Sequence, residues 1–233
     1  MAHHREHRAA WWVNQLEMAE IALVDLAGRL LGLPSLDMLQ LPGRLAVPGA
    51  YCISESEPKR VAERARFARK QNLGSHIKLK IYGEVTLDTV LIRAVRQVMG
   101  VRCYIAGDAA GGYFLSPDAP LLHLANHLKT LHQAGLNACE DPAVLSVEDW
   151  RVVQTRVGLL DLIPNKPLQP VWQGLQTIKP GMGRIFNVHP GHMGSLIEAV
   201  SLAKRIQDFG ARIVIGDDAF IGPGCTIWQY IAI

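Results

Sequence analysis

The sequence predicts an α/β fold, an incomplete (β/α)8-type (TIM-like) barrel of seven strand–helix units. Three observations carry that reading. From about residue 46, short apolar runs alternate with amphipathic helical runs. The connections between them are short, as in a parallel sheet covered by helices. No shift in composition marks the reversal of direction that an open, doubly wound sheet requires, so the barrel is favoured over that alternative.

The elements follow in order. Residues 11–31 read as a helix, because Leu16, Ala19, Leu23, Leu26 and Leu30 recur at steps of three and four, and Gly32 and Pro34 stop it. That stripe predicts burial against a core or a domain interface. Strands are expected at 46–53, 76–82, 101–108, 136–141, 159–164, 184–189 and 211–217. Helices are expected at 58–71, 87–99, 120–134, 147–157, 169–178 and 196–209. The last apolar run, 225–233, reads as a seventh helix of the barrel. An eighth strand is missing, which predicts a chain truncated relative to a longer ancestor or completed by a partner.

Composition narrows the class. The chain has 233 residues, 49% of them hydrophobic and 19% charged, which excludes intrinsic disorder and collagen-like repeats. Its net charge of +3 comes without a concentrated basic block, which argues against a nucleic-acid surface. No apolar run reaches the ~18 residues of a membrane span. The four cysteines, Cys52, Cys103, Cys139 and Cys225, form no C-x-x-C pair and suit a reducing compartment. No secretory signal is evident, so a cytoplasmic protein is the expectation. His3, His4 and His7 read either as a metal-binding tract or, more plainly, as a frayed terminus.

In such a barrel the active site lies at the C-terminal ends of the strands. The second strand offers Lys78 and Lys80, alternate positions that share a side. The third ends in Asp108, the fourth in Glu140 and Asp141, the fifth in Asn165 and Lys166. The sixth ends in His189, with His192 close by, and the seventh in Asp217 and Asp218. Each group lies one strand–helix unit from the last, so together they should ring one mouth. Asp108, Glu140 and the Asn165 amide supply hard oxygen ligands suited to Mg²⁺ rather than zinc. Lys80 and His189 would flank a bound substrate as bases. Metal plus base is the combination that removes a proton next to a carboxylate, because the metal stabilises the enolate that forms. Other candidates are weaker. The 107–112 loop, GDAAGG, matches no phosphate or dinucleotide fingerprint. At 216–224, Asp217 and Asp218 would repel a phosphate. Cys139 points away from Glu140, and His123, His127 and His132 read as a helix face rather than a zinc site.

These residues carry a family resemblance. HIKLKIYG (76–83) is similar to the K-x-K second strand of the enolase superfamily, in its mandelate racemase and muconate lactonizing branch. IAGDAAGGY (105–113) resembles its third-strand aspartate motif, and ACEDP (138–142) its glutamate-proline motif. FNVHPGHMGSLIEAVSLAKRIQDFG (186–210) resembles its sixth strand and following helix. MAEIALVDLAGRLLGLP (18–34) looks like the helix that ends its α+β capping domain. The resemblance divides the chain into a helical capping-domain remnant (1–44) and an enolase-like barrel domain lacking the last strand (45–233).

The resemblance implies a Mg²⁺-dependent enzyme that abstracts the α-proton of a small carboxylate substrate, as a racemase, epimerase or cycloisomerase. Lys80 matches the base, Lys78 its electrostatic helper, and Asp108 and Glu140 two metal ligands. The third ligand is normally acidic and here is Asn165, in IPNKP. The sixth-strand lysine is replaced by His189. Two alternatives stay open: an acid-sugar dehydratase with His189 as the main base, and a non-catalytic, truncated relative. Exposed barrel edges would promote association into a homo-oligomer.

Overall fold

The computed structural model describes residues 2–41, 49–116, 118–189, 191–216 and 230–232; the side chains of 2–12, 36 and 230–232 are outside that description. Two helices lead, α1 (Ala2–Leu31) and α2 (Ser35–Met38). Then come β1 (Tyr51–Ile53), α3 (Pro58–Lys70), β2 (His76–Lys80), α4 (Val85–Met99), β3 (Tyr104–Asp108) and α5 (Pro120–Gln133). They are followed by β4 (Ala138–Glu140), α6 (Val147–Val157), β5 (Asp161–Ile163), a 3-10 turn (Lys166–Leu168) and α7 (Val171–Thr177). The described chain ends with β6 (Ile185–Val188), α8 (Leu196–Asp208), β7 (Arg212–Gly216) and β8 (Tyr230–Ala232).

Local chemistry sets these boundaries. Pro58 and Pro120 open α3 and α5, where a missing N–H costs nothing. Ser146 caps α6 by accepting from the Asp149 N–H, and Ser195 caps α8 by accepting from the Glu198 N–H, both at 3.1 Å. Gly100 (φ 74°) and Gly158 (φ 67°) end α4 and α6 in conformations that a side chain would strain.

Strands β1 to β5 form one parallel sheet in sequence order. Strands β6, β7 and β8 form a second ladder, with β6 and β7 parallel. The register sets Lys80 beside Asp108 and Asp108 beside Glu140. The strand-facing sides of the helices bury Val61, Leu91, Val95, Leu128, Val153 and Leu202 against the outward residues Ile77, Leu79 and Ile105. The inward residues form a separate apolar layer of Ala50, Ala106, Ala138, Ile163, Ile185 and Val214. Small residues on the β1–β4 side face larger ones on the β5–β7 side, which leaves room for the Lys78 stem.

Two polar links join the ladders across the seam between β5 and β6. At the base, buried Asp161 pairs with Arg184 at 3.1 Å and with Arg212, and accepts from the Tyr104 hydroxyl at 3.0 Å. Along the strands, the Asn187 N–H donates to the Pro164 carbonyl at 3.0 Å.

Three expectations need correction. Helix α1 starts at Ala2 rather than residue 11. Its leucine stripe is not buried: Leu16, Leu23, Leu26 and Leu30 are exposed. The helix docks instead by the face carrying Val13, Glu17, Glu20 and Val24, because Glu17 and Glu20 find backbone donors in the segment before α8. Finally, Tyr230–Ala232 is a strand antiparallel to β7, not part of a helix. It covers part of the β7 edge, where unpaired N–H and C=O groups invite pairing. Cys225, Asp217 and Asp218 lie outside the described residues. Among the described residues no helix is long and apolar enough to cross a membrane.

Asp161 thus ties β5 to β6 and β7 with one side chain. Asp161→Ala should cost about 1–3 kcal/mol, moderated because both arginines are half solvated. Urea unfolding checks this as a lowered midpoint with an unchanged slope.

Candidate functional site

Lys78 and Lys80 leave β2 on the side facing the barrel interior, because alternate strand residues share a face. Lys78 Nζ lies 3.1 Å from Asp108 Oδ2 and 3.0 Å from Glu140 Oε2. Lys80 Nζ lies 3.4 Å from Asp108 Oδ1. Glu140 is 2% exposed, and its Oε1 accepts from Asn165 Nδ2 and Asn187 Nδ2, each at 2.8 Å. Asn165 Oδ1 in turn accepts from Gln169 Nε2 at 2.6 Å. The structure therefore brings Lys78, Lys80, Asp108, Glu140 and Asn165 into one contact network.

The two lysines differ. Burial works against the Lys78 ammonium, but Glu140 and Asp108 outweigh it and hold its pKa above the ordinary lysine value. Burial likewise raises the Asp108 carboxyl, yet Lys78 and Lys80 outweigh it and hold the pKa below the ordinary value. Lys78 is thus a fixed cation. Lys80 is half-buried and reaches the rim through one long contact. Cys52, in register with Lys78, also faces this cluster, and burial pushes its thiol up.

The surrounding loops are held from beneath. Buried Asp88 accepts from the Tyr82 and Gly83 N–H groups at 2.8 and 3.1 Å and from the Tyr113 hydroxyl at 2.5 Å. A Cβ on Gly83 would collide with the Gly112 carbonyl, so the loops after β2 and β3 touch through glycine. Gly107 leaves space for Ile81 and Leu136, a packing role. Asp141 accepts from the Asn165 N–H at 3.1 Å and from the Lys166 N–H. Burial raises its carboxyl to about 7, against those hydrogen bonds. Lys166 Nζ donates to the Ala110 carbonyl at 2.8 Å, bridging two loops of the rim.

His189 follows β6 and stacks on His192, ring centroids 4.6 Å apart. Its loop is clamped from α1. Buried Glu17 accepts from the N–H groups of Gly191, Met193 and Gly194 at 2.8, 3.0 and 3.0 Å. Glu20 accepts from the Ser195 hydroxyl and from the Leu196 and Ile197 N–H groups. A Cβ on Gly216 would lie 2.5 Å from Asn187 Oδ1 and 2.7 Å from His189 Cδ2, so glycine there makes room for both.

Several participants are absent from the sequence-derived ring: Asn187, Gln169, Glu17 and Glu20. Asn187 shares the phase of His189 on the sixth strand, a signal that alternation alone supplies. On α5, His127 lies against Tyr113, ring centroids 6.3 Å apart, and His132 Nδ1 lies 2.8 Å from the Leu136 carbonyl. Cys139 is buried, and desolvation holds its thiol well above the ordinary value. The side chains of His3, His4 and His7 lie outside the described residues.

By type, Asp108, Glu140 and Asn165 fit a hard cation: oxygen donors at the ends of β3 and β4 and two residues after β5. Lys78 engages one oxygen of each carboxylate and leaves the other to different partners: Asp108 Oδ1 to Lys80 and the Ala110 N–H, Glu140 Oε1 to the Asn165 and Asn187 amides. The deficit is charge. The third position carries a neutral amide, and Asn165 turns Nδ2 toward Glu140 and Oδ1 toward Gln169.

The sequence comparison gives the family and the structure comparison the fold. The sequence model of a family described as enolase C-terminal domain-like matches residues 60–227. No curated protein matches the chain in sequence. A dipeptide epimerase from Enterococcus faecalis superposes with TM-score 0.75 at 19% identity, covering 87% of this chain and 56% of its own. The same enzyme has been solved with Mg and the dipeptide L-Leu-L-Tyr. An isomerase from Streptomyces coelicolor gives 0.78 at 19% identity, covering 95% and 61%. A muconate cycloisomerase from Pseudomonas fluorescens gives 0.74 at 19% identity, covering 87% and 55%. The chain thus spans little more than half the length of the structures it matches.

Removing Lys78 would leave two carboxylates facing each other in the interior. Lys78→Met should cost about 2–4 kcal/mol near pH 7. Asp108, with a lowered pKa, contributes stability above the ordinary value of 3.8 and loses it as pH falls through the lowered value. Lys78, with a raised pKa, contributes below 10.5 and loses it as pH rises through the raised value. Unfolding free energies across pH should therefore show the two proteins converging at both extremes.

Proposed function

The chain belongs to the enolase superfamily, in its mandelate racemase and muconate lactonizing branch, and from that premise we propose that it removes the α-proton of a small carboxylate substrate with the help of Mg²⁺. The reaction type is racemisation, epimerisation or cycloisomerisation, the activities named for the matched structures. Residues 45–233 are the barrel that carries the site, and 1–44 belong with a capping domain.

The observation that carries this reading is the unequal treatment of the two β2 lysines. Lys78 is locked as a cation between Asp108 and Glu140. Lys80, one alternate position on, reaches the rim and can exchange a proton with a substrate there. Asp108, Glu140 and Asn165 would hold Mg²⁺. The chemistry Mg²⁺ supplies when bound is neutralisation of charge gathering on the substrate carboxylate as the proton leaves. Lys80 takes the proton, and Lys78 holds one oxygen of each carboxylate. His189, four strands on from Lys80, returns a proton from the other side. The Glu17 clamp holds the backbone that carries that imidazole.

A second reading is favoured by the charge count. Two ammonium groups and two carboxylates already balance, as in a structural cluster of a non-catalytic relative. A dehydratase would use the same groups with His189 as base, and product analysis on sugar acids separates it.

Two measurements test the proposal. Millimolar Mg²⁺ should raise the unfolding midpoint by about 2–5 °C, and Asp108→Ala should abolish the rise. In D₂O, deuterium should enter the α-position of dipeptides or N-acyl amino acids, and Lys80→Ala should slow this at least about 100-fold. Cooperative unfolding that ignores Mg²⁺, with no exchange, would establish the non-catalytic reading instead.

A further inference from the structure

We infer that Gln169 is a switch on the Asn165 amide and so governs how readily the strand-end cluster accepts a divalent cation, an inference that rests on the metal reading proposed above. Hydrogen-bond valence forces the arrangement. An ionised carboxylate has no proton to give, so Asn165 must present Nδ2 to Glu140 Oε1, at 2.8 Å. That leaves Asn165 Oδ1 facing Gln169, which must present Nε2, at 2.6 Å. Glutamine carries both a donor and an acceptor, and can match either end of its neighbour by turning its own amide over. The pair therefore has two self-consistent arrangements, related by reversing both amides together.

The reversed arrangement has a condition. It sets Asn165 Oδ1 against Glu140 Oε1, and two acceptors repel unless a cation lies between them. Reversal and cation uptake are thus one event. The backbone does not obstruct it. The Asn165 N–H is held by Asp141 Oδ1 at 3.1 Å and its carbonyl by the Leu168 N–H at 2.9 Å, so only the side-chain amide turns. Asn187 is set differently. It donates to the same Glu140 oxygen at 2.8 Å, but its Oδ1 is buried without a hydrogen-bond partner among the described residues, so no second amide turns with it. Gln169 is accordingly a positioning residue, acting on the cation through Asn165.

Gln169→Glu keeps the shape and removes the donor. Without metal, an acceptor then faces an acceptor in either arrangement of Asn165. In EDTA the midpoint should fall by about 2–4 °C. With a cation bound, the carboxylate introduced at position 169 accepts from Asn165 Nδ2 and favours the reversed amide. Mn²⁺ association, followed by electron paramagnetic resonance and calorimetry, should tighten about tenfold. In an Asn165→Ala background the EDTA penalty should vanish, and the gain in Mn²⁺ affinity should shrink to the about twofold effect of an added charge. A penalty in EDTA that is absent, or that persists without Asn165, overturns the switch whatever the metal does. An equal gain in affinity in both backgrounds also overturns it, since charge alone then accounts for the effect. If the EDTA penalty depends on Asn165 but no variant binds Mn²⁺ at millimolar concentration, the metal reading fails and the link to cation uptake fails with it.

Discussion

A lysine ammonium shared by two carboxylates organises the interior of this barrel. Leaving water alone would cost each of these three ions several kcal/mol, so none can be buried without the others. Lys78 from β2, Asp108 from β3 and Glu140 from β4 therefore bind three neighbouring strands into one electrostatic unit. The unit also divides the partners. Lys78 engages one oxygen of each acid, and the other meets Lys80 and the Ala110 N–H in Asp108 and two asparagine amides in Glu140.

Around that unit the barrel is layered. Asp161, Arg184, Arg212 and Tyr104 close the base. Above them lies the apolar layer of Ala50, Ala106, Ala138, Ile163, Ile185 and Val214, and above that the ionic cluster. The base and the cluster both reach across the seam where the two hydrogen-bonded ladders meet, Asp161 from β5 to β6 and β7, and Glu140 to Asn187. Polar contacts thus bridge a seam that the backbone ladder leaves open. This division sets a structural ion cluster at one end and the candidate site at the other.

Much of this was legible in the sequence. Strand phase and helix ends are written locally, in alternation, prolines and capping serines, and helices α3 to α6 fall within two residues of expectation. The five residues of the strand-end network, Lys78, Lys80, Asp108, Glu140 and Asn165, follow from reading the polar groups at the ends of four successive units, two of them from β2. What failed was non-local. The leucine repeat of α1 promised a buried face, yet the helix docks through Glu17 and Glu20, whose partners are backbone N–H groups that no side-chain pattern reveals. The apolar run ending in Tyr230–Ala232 looked helical, because periodicity cannot separate a short apolar helix from a strand. Asn187 and Gln169 escaped because an amide gains meaning only from what faces it.

The grip of Glu17 on the segment before α8 has a consequence for the order of assembly. Glu17 and Gly191 stand 174 positions apart in the chain. Contacts of such separation form late, because the loop they close must first be ordered. During synthesis α1 emerges before its docking site, which exists only once β6 and the start of α8 have been made. The helix must therefore wait, with Glu17 and Glu20 still lacking the backbone donors of the folded chain, while Leu16, Leu23, Leu26 and Leu30 are exposed before docking and after it. The loop that follows His189 is likewise unclamped until α1 returns to it, so the docking of that helix also orders part of the candidate site.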